Sequence, residues 1–318
     1  MKVIDRITNA TCPLFSYEIV PPPRGRSIQD IIKIVEALKP LSPAWIDVTA
    51  HSSSAYYNEL SDGTIQKKVY KKRPGTIGIC GVIQNRFGID TVAHLLCLGF
   101  SKEETEDALL ELNFLGVQNV LALRGDSPNY SKPLPQNRSA NYYASDLVEQ
   151  INKVNKGQFL EDIEGANDFD FCVGVAGYPE KHFEAPNLKL DLQNLKKKVD
   201  AGAEYITTQM FFDNRHYFEF VKAAREIGIT VPIVPGLKVL KTVSQLVSIP
   251  KNFYIDLPNE LVDQVTNNPK EVKQIGFEWA KKQAKELLAE GAPGIHFYIM
   301  NDTETIVKLV SEIQSELC

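Results

Sequence analysis

FSYEIVPPPR, residues 15–24, is a short strand pattern closed by three prolines. Phe15, Tyr17 and Ile19 alternate with Ser16, Glu18 and Val20, and such a period-two run of aromatic and β-branched residues reads as a strand. The prolines cannot donate to a sheet ladder, so pairing ends near Pro21 and Glu18 sits close to the strand's C-terminal end, on one face with Ser16 and Val20. A carboxylate in that position is either an acid on an edge strand, solvated or paired with a cation such as Arg24, or a catalytic group. The stretch alone leaves both open, and which one holds depends on whether this strand has an edge.

Outward from it, strands and helices alternate. Ser27 is a plausible N-cap for a helix whose Ile28, Ile31, Ile32, Val35 and Leu38 fall at helical spacing, closed by Pro40. Ala44 to Thr49 (AWIDVT) is the second strand, followed by a polar loop over His51 to Ser54. Residues 62–87 read as helical in two pieces broken at Pro74-Gly75, with Thr76 capping the second. Thr91 to Cys97 is a strand. Ser101 and Glu104 then form a capping-box pattern ahead of a helix. Asn119 to Leu123 runs into Arg124-Gly125-Asp126 and a long Pro, Asn and Ser-rich loop over 127–142, a length that points to function.

The alternation continues with a helix over Ala144 to Val154, a polar acidic connection, a strand over Phe169 to Ala176, a helix over Asn187 to Ala201 and a strand over Tyr205 to Gln209. A helix at 214–227, a strand over Val231 to Pro235, helices at 242–248 and 258–290, and a strand over Ile295 to Ile299 complete the pattern, with a last helix capped near Asn301 or Asp302. Eight strands, each followed by a helix and with no second composition regime, predict a single α/β domain over residues 1–318, a (β/α)8 TIM barrel with its chemistry at the C-terminal ends of the strands. The competing open doubly wound sheet lacks support, because no Gly-x-Gly-x-x-Gly follows any strand.

Composition narrows the class. Of 318 residues 43% are hydrophobic and 24% charged, ordinary globular values, and a net charge of −5 with a pI near 5.7 gives no electrostatic footprint for nucleic acid. The one basic run, Lys67 to Arg73, reads as a solvated helix face. Five cysteines show neither metal-ligand spacing nor a disulfide framework, which fits a reducing cytosol and no metal. The N-terminus has no apolar core of signal-peptide length, and no stretch approaches the roughly 18 apolar residues of a membrane span. The expectation is a soluble cytoplasmic protein.

Reading only the strand ends collects Glu18, Thr49, His51, His94, Arg124-Gly125-Asp126, Tyr178 to His182, Gln209, Pro235-Gly236 and Asn301. Each also has a plain structural reading: His94 as a hydrogen-bonded core histidine, Arg124 and Asp126 as a mutual pair, Gln209 as a partner for buried backbone. Their shared location singles them out. The residue types suit acid catalysis and hydrogen bonding to a planar heterocycle, and no Ser/His/Asp or Cys/His arrangement is supported, because the candidate nucleophiles at strand ends lack a base in sequence context.

The motifs FSYEIVPPPR, WIDVTAHSS, AHLLC, VLALRGD, YYASDLV, VAGYPEKH, LKKKVDAGAEYITTQMFFD, VPIVPG and HFYIMN, in this order, resemble the methylenetetrahydrofolate reductase family, in its bacterial type with the catalytic domain only. The resemblance implies FAD at the top of the barrel, taking hydride from NADH or NADPH and passing it by ping-pong to 5,10-methylenetetrahydrofolate, with the 5-methyltetrahydrofolate formed serving methionine synthesis. By motif it implies Glu18 as general acid, Asp126 as a catalytic and substrate-binding charge near flavin and pterin, and Gln209 as a substrate-binding residue. FAD contacts are implied for Thr49, His94, Leu123, Arg124, Gly125, Asp126, Tyr143, Ala144, His182, Asp191 and Lys198; the last two lie two turns apart on one helix face. The loop after Gly236 (LKVLKTV) lacks the aromatic of some relatives, and the 155–168 connection is longer than in some. Inhibition by S-adenosylmethionine is not expected. Alternatives are a flavin barrel dehydrogenase with another substrate and a non-redox pterin-binding methyl-transfer barrel. Donor preference and oligomeric state, including a homo-oligomer, are left open.

Overall fold

The computed structural model describes residues 1–125 and 138–317. Its strands are β1 (Leu14–Ile19), β2 (Trp45–Val48), β3 (Ser54–Glu59), β4 (Ile65–Tyr70), β5 (Thr91–Leu96), β6 (Asn119–Leu123), β7 (Cys172–Gly177), β8 (Tyr205–Met210), β9 (Ile233–Leu237) and β10 (Gly294–Met300). The helices are α1 (Val3–Thr8), α2 (Ile28–Leu38), α3 (Thr76–Phe87), α4 (Lys102–Phe114), α5 (Ala144–Val154), α6 (Leu188–Asp200), α7 (Asn214–Glu226), α8 (Gln245–Phe253), α9 (Asn259–Asn267), α10 (Val272–Ala289) and α11 (Thr303–Leu317).

All the strands except β3 and β4 close a parallel barrel in the order β1-β10-β9-β8-β7-β6-β5-β2, as the alternation predicts. Closure pairs the first strand with the last: Ser16 lies opposite His296, Tyr17 opposite Phe297 and Glu18 opposite Tyr298. On its other side β1 pairs with β2, setting Glu18 opposite Asp47. β1 therefore has no edge. Its outward residues Phe15, Tyr17 and Ile19 are buried in the shell between barrel and helices, with Ile31, Val35 and Leu38 of α2 and Leu309 and Ile313 of α11. The rings of Phe15 and Tyr17 stack on Phe297 at 6.5 and 6.4 Å. Inside the barrel, the lower layer is formed by Trp45, Val92, Leu121, Cys172, Tyr205 and Val234.

α1 closes this lower end, with Val3 fully buried and its N–H donated to Asn119 Oδ1 at 2.8 Å. Sequence reading misses this helix: at six residues its stability comes from packing rather than propensity.

Three expectations need correction. Residues 54–70 form the antiparallel hairpin of β3 and β4, where helix was expected from residue 62. Ile65, Lys67 and Val69 alternate with Gln66, Lys68 and Tyr70, and Asp62-Gly63 forms the turn: Gly63 has φ +78° and Asp62 Oδ1 accepts from Thr64 N at 2.9 Å. The basic run from Lys67 thus lies on a strand and the loop after it. Thr76 is the first residue of α3 and Gly75 its cap, while the Thr76 hydroxyl donates to the Val48 carbonyl at 2.8 Å and ties α3 to the end of β2. The helical region at 258–290 divides at Asn268-Pro269, where the proline has no N–H to continue α9. By contrast, the Ser101–Glu104 capping box is present in both directions, at 3.2 and 2.9 Å.

Close approach at the seam requires glycine. A Cβ on Gly294 would lie inside van der Waals contact with the Leu14 carbonyl oxygen. Gly294→Ala is expected to destabilise the fold by about 1–3 kcal/mol, the usual cost of overpacking, measured as a lower urea midpoint; an unchanged midpoint would show that the seam is looser than described.

Candidate active site

Alternation along the strands aims Ser16 and Glu18 of β1, Asp47 of β2, His94 of β5, Thr207 of β8 and His296 and Tyr298 of β10 into the barrel, a polar set where branched aliphatics usually fill the layers. Ser16 Oγ and His296 Nδ1 are 2.9 Å apart. Above them, His94 Nε2 lies 3.4 Å from Asp47 Oδ1 and 3.8 Å from Glu18 Oε2. Glu18 keeps only 14% of its side-chain exposure. Burial pushes its carboxyl up to about 7; neighbouring Asp47 adds to the rise, and His94 and Lys238 oppose it.

For His94, burial disfavours the imidazolium, but the hydrogen bond to Asp47 and the charges of Glu18 and Asp47 outweigh it and raise the pKa. His296 is held low by burial and Tyr298 well above its ordinary value by the same cause. Lys238, just after β9, donates to the Tyr298 carbonyl at 3.4 Å; burial and then Lys241 depress its ammonium, and Glu18 and Asp302 oppose them. Tyr298 is fixed by its hydroxyl donating to the Thr208 carbonyl at 2.6 Å, and Thr208 Oγ1 accepts from Gly236 N at 2.9 Å.

A second group of predicted residues gathers at the ends of β6 and β7. Arg124 pairs with Glu184 at 2.6 Å. Gly125 has φ +89°, a conformation that favours glycine. The His182 N–H donates to Asp191 Oδ2 at 2.9 Å, and His182 Nδ1 accepts from Glu184 N at 3.2 Å. Lys198 does not turn to Asp191: its Nζ donates to the Ala176 carbonyl at 2.6 Å, and burial lowers its ammonium to about 8 against the pull of Asp191.

The remaining predicted residues sit at strand ends or at the start of a helix. Leu123 ends β6, and its carbonyl accepts from Cys97 N at 3.0 Å. Tyr143 caps α5 with 63% exposure, and Ala144 begins that helix. Thr49 follows β2 with its Oγ1 buried and without a hydrogen-bond partner among the described residues. Gln209 is half-buried on β8 and turns its amide oxygen to its neighbour's N–H, Met210, at 2.9 Å. Asp126 lies outside the described residues.

The structure therefore brings Glu18 and His94 together and, separately, Arg124, His182, Asp191 and Lys198. Sequence reading missed Asp47, Lys238 and Glu184. Asp47 had a signal, a charge inside the apolar run AWIDVT on the same face as Trp45 and Thr49; the others owe their place to loops whose course no periodicity reveals. Among the described residues no group of three or more His, Cys, Asp or Glu could hold a metal, and no helix is long and apolar enough to cross a membrane.

Matched as a whole, the chain fits the family model described as methylenetetrahydrofolate reductase over residues 3–314. The chain belongs to the methylenetetrahydrofolate reductase family. It is 30% identical over 292 residues to the 5,10-methylenetetrahydrofolate reductase of Pectobacterium carotovorum, covering 91% of this chain and 86% of that protein. It is 31% identical over 319 residues to methylenetetrahydrofolate reductase 1 of Schizosaccharomyces pombe, covering 98% of this chain and 48% of the relative. The chain thus spans about half the length of the eukaryotic family members it matches. Among solved structures, a Clostridium thermocellum protein described as binding two copies of 5-methyl-5,6,7,8-tetrahydrofolic acid superposes with a TM-score of 0.61, covering 98% of this chain and 99% of that one; at 14% identity the likeness is one of fold.

Because the folded Lys198 ammonium titrates near 8 and the unfolded one near 10.5, the unfolded state binds more protons between these values, so this residue penalises folding below about 8 and ceases to as pH rises through 10.5. Urea unfolding should show Lys198→Met gaining stability relative to wild type below pH 8 and losing that gain above 10.5; a difference independent of pH would contradict the buried ammonium.

Proposed function

We propose that this protein reduces 5,10-methylenetetrahydrofolate to 5-methyltetrahydrofolate with FAD as resident cofactor and NADH or NADPH as donor, the two substrates using one site in turn. The observation that carries the reading is Glu18: a carboxyl at the barrel mouth that burial keeps protonated to about 7. Opening the folate's five-membered ring requires a proton on the departing nitrogen, and a positioned acid whose pKa lies near the working pH is suited to deliver it.

The second group of residues fits a flavin dinucleotide. Among the described residues the Lys198 ammonium carries no carboxylate ion pair and Thr49 Oγ1 is a buried polar atom without a partner, and Arg124 is held in place by Glu184. In this reading Lys198 and Arg124 would hold the diphosphate, Asp191 and His182 the ribose side, and Thr49, His94, Leu123, Gly125, Tyr143 and Ala144 would line the rest. Bound FAD supplies the hydride carrier between the two substrates. Gln209 would hydrogen-bond the pterin. Asp126, assigned on its RGD motif alone, would place a negative charge against the cation formed when the ring opens.

Glu18 serves only the folate half of this cycle, so the two halves respond differently to its loss. In anaerobic stopped flow, Glu18→Gln is expected to keep flavin reduction by NADH or NADPH and to slow the folate step by about 10²–10⁴-fold, the usual contribution of a general acid. In the wild type the folate step needs the protonated form, so its rate is present below about pH 7 and falls as pH rises through it. A folate step at full rate in Glu18→Gln would remove the acid from the mechanism, and a purified protein without flavin absorbance would favour a non-redox pterin-binding role.

A further inference from the structure

Asp47 has no role in the chemistry above, yet it is a wholly buried carboxylate on β2, directly opposite Glu18 in the sheet register. Its Oδ1 accepts from His94 Nε2 at 3.4 Å, and its Oδ2 has no hydrogen-bond partner among the described residues. Glu18 Oε2 approaches the same nitrogen at 3.8 Å, too far for a hydrogen bond. Two carboxyl groups thus compete for one imidazole N–H, and Asp47 is the nearer.

The other titratable groups packed around them do not change the balance. Cys80 of α3, Tyr205 of β8 and Tyr298 of β10 are kept neutral by burial, as is His296, whose Nδ1 faces Ser16. Among the described residues Lys238 is a further cation that acts on Glu18, with Lys241 and Asp302 behind it. A buried carboxylate has to be matched by a cation, and for Asp47 that cation is His94. Once this pair is formed, ionising Glu18 would set a second buried anion beside one imidazolium, opposed only by the more distant Lys238.

We propose that Asp47 is a positioning residue for the acid: it claims the His94 imidazolium and so leaves Glu18 as the protonated carboxyl that the folate step needs. The inference rests on Glu18 being that acid. It ties the protonated state of Glu18 to the distances of the mouth's two carboxyl groups from a single nitrogen, 3.4 Å for Asp47 and 3.8 Å for Glu18.

Asp47→Asn keeps the shape and removes the charge. The imidazolium is then left to Glu18, which should ionise across the neutral range as the partner in a new ion pair. Single-turnover reduction of methylenetetrahydrofolate by the pre-reduced holoenzyme is expected to show its acid midpoint moved to lower pH, with the rate at neutral pH falling about tenfold for each unit of that shift. A profile superimposable on wild type would overturn the role of Asp47 alone. Absence of the folate step from the wild type, or its survival in Glu18→Gln, would overturn the functional reading as well.

Should the variant fail to fold, nitrogen-15 NMR of His94 in the wild-type holoenzyme tests the same claim. An imidazolium at neutral pH, with both ring nitrogens protonated, is expected. A neutral imidazole there would overturn the proposal.

Discussion

The pairing of β1 with β10 is the constraint on which the mouth of this barrel depends. It joins residues 280 positions apart, as in the Ser16–His296 contact, and it turns the strand that could have been an edge into one held on both sides. Three consequences follow from the closed register. Phe15, Tyr17 and Ile19 must face the helices, and Ser16 and Glu18 must face inward. Glu18 is brought level with Asp47 on one side and Tyr298 on the other. The prolines after Ile19 then carry the chain out of the barrel, with the Arg73 guanidinium donating to the Pro21 carbonyl.

Electrostatics at the mouth follows from that geometry. Taking a carboxylate out of water is costly, and removing one partner of a buried ion pair typically costs about 3–5 kcal/mol. Glu18, Asp47 and His94 share the interior, and the charges of Asp47, His94 and Lys238 all act on the Glu18 carboxyl. One imidazole cannot neutralise two carboxylates. The arrangement that satisfies burial is an ion pair plus a neutral acid, and a neutral acid facing the mouth is what ring opening at a folate would use. Nearer the helices a second charged group stands at the ends of β7 and β6, where Arg124 pairs with Glu184 and Lys198 feels the charge of Asp191. In the proposed function these two groups would divide proton delivery from cofactor binding.

Much of this was legible in the sequence because burial leaves a mark on it. Each barrel strand is a short apolar or alternating run between turn signals, and AWIDVT, TVAHLLC and IHFYI could be placed without knowing their neighbours. Glu18 stood out because its strand is so sharply terminated. The hairpin over 54–70 was misread for the converse reason: its second strand is exposed along its whole length, so no buried face marked its period, and only the Asp62-Gly63 turn gave it away. Asp47 was visible as a charge in an apolar run, but its partner His94 is 47 residues away, and which carboxyl group lies nearer the imidazole is a property of register and tilt that spacing does not encode. The same holds for Lys238, which follows β9 directly and acts on Glu18 from there.

What ties fold to chemistry here is the claim that the closed barrel holds Glu18 protonated near neutral pH. Carbon-13 NMR titration of protein labelled at the glutamate side-chain carboxyl, with the Glu18 resonance assigned by its absence from Glu18→Gln, measures this directly. The account predicts a Glu18 midpoint near 7; a midpoint near the ordinary 4.5 would contradict it.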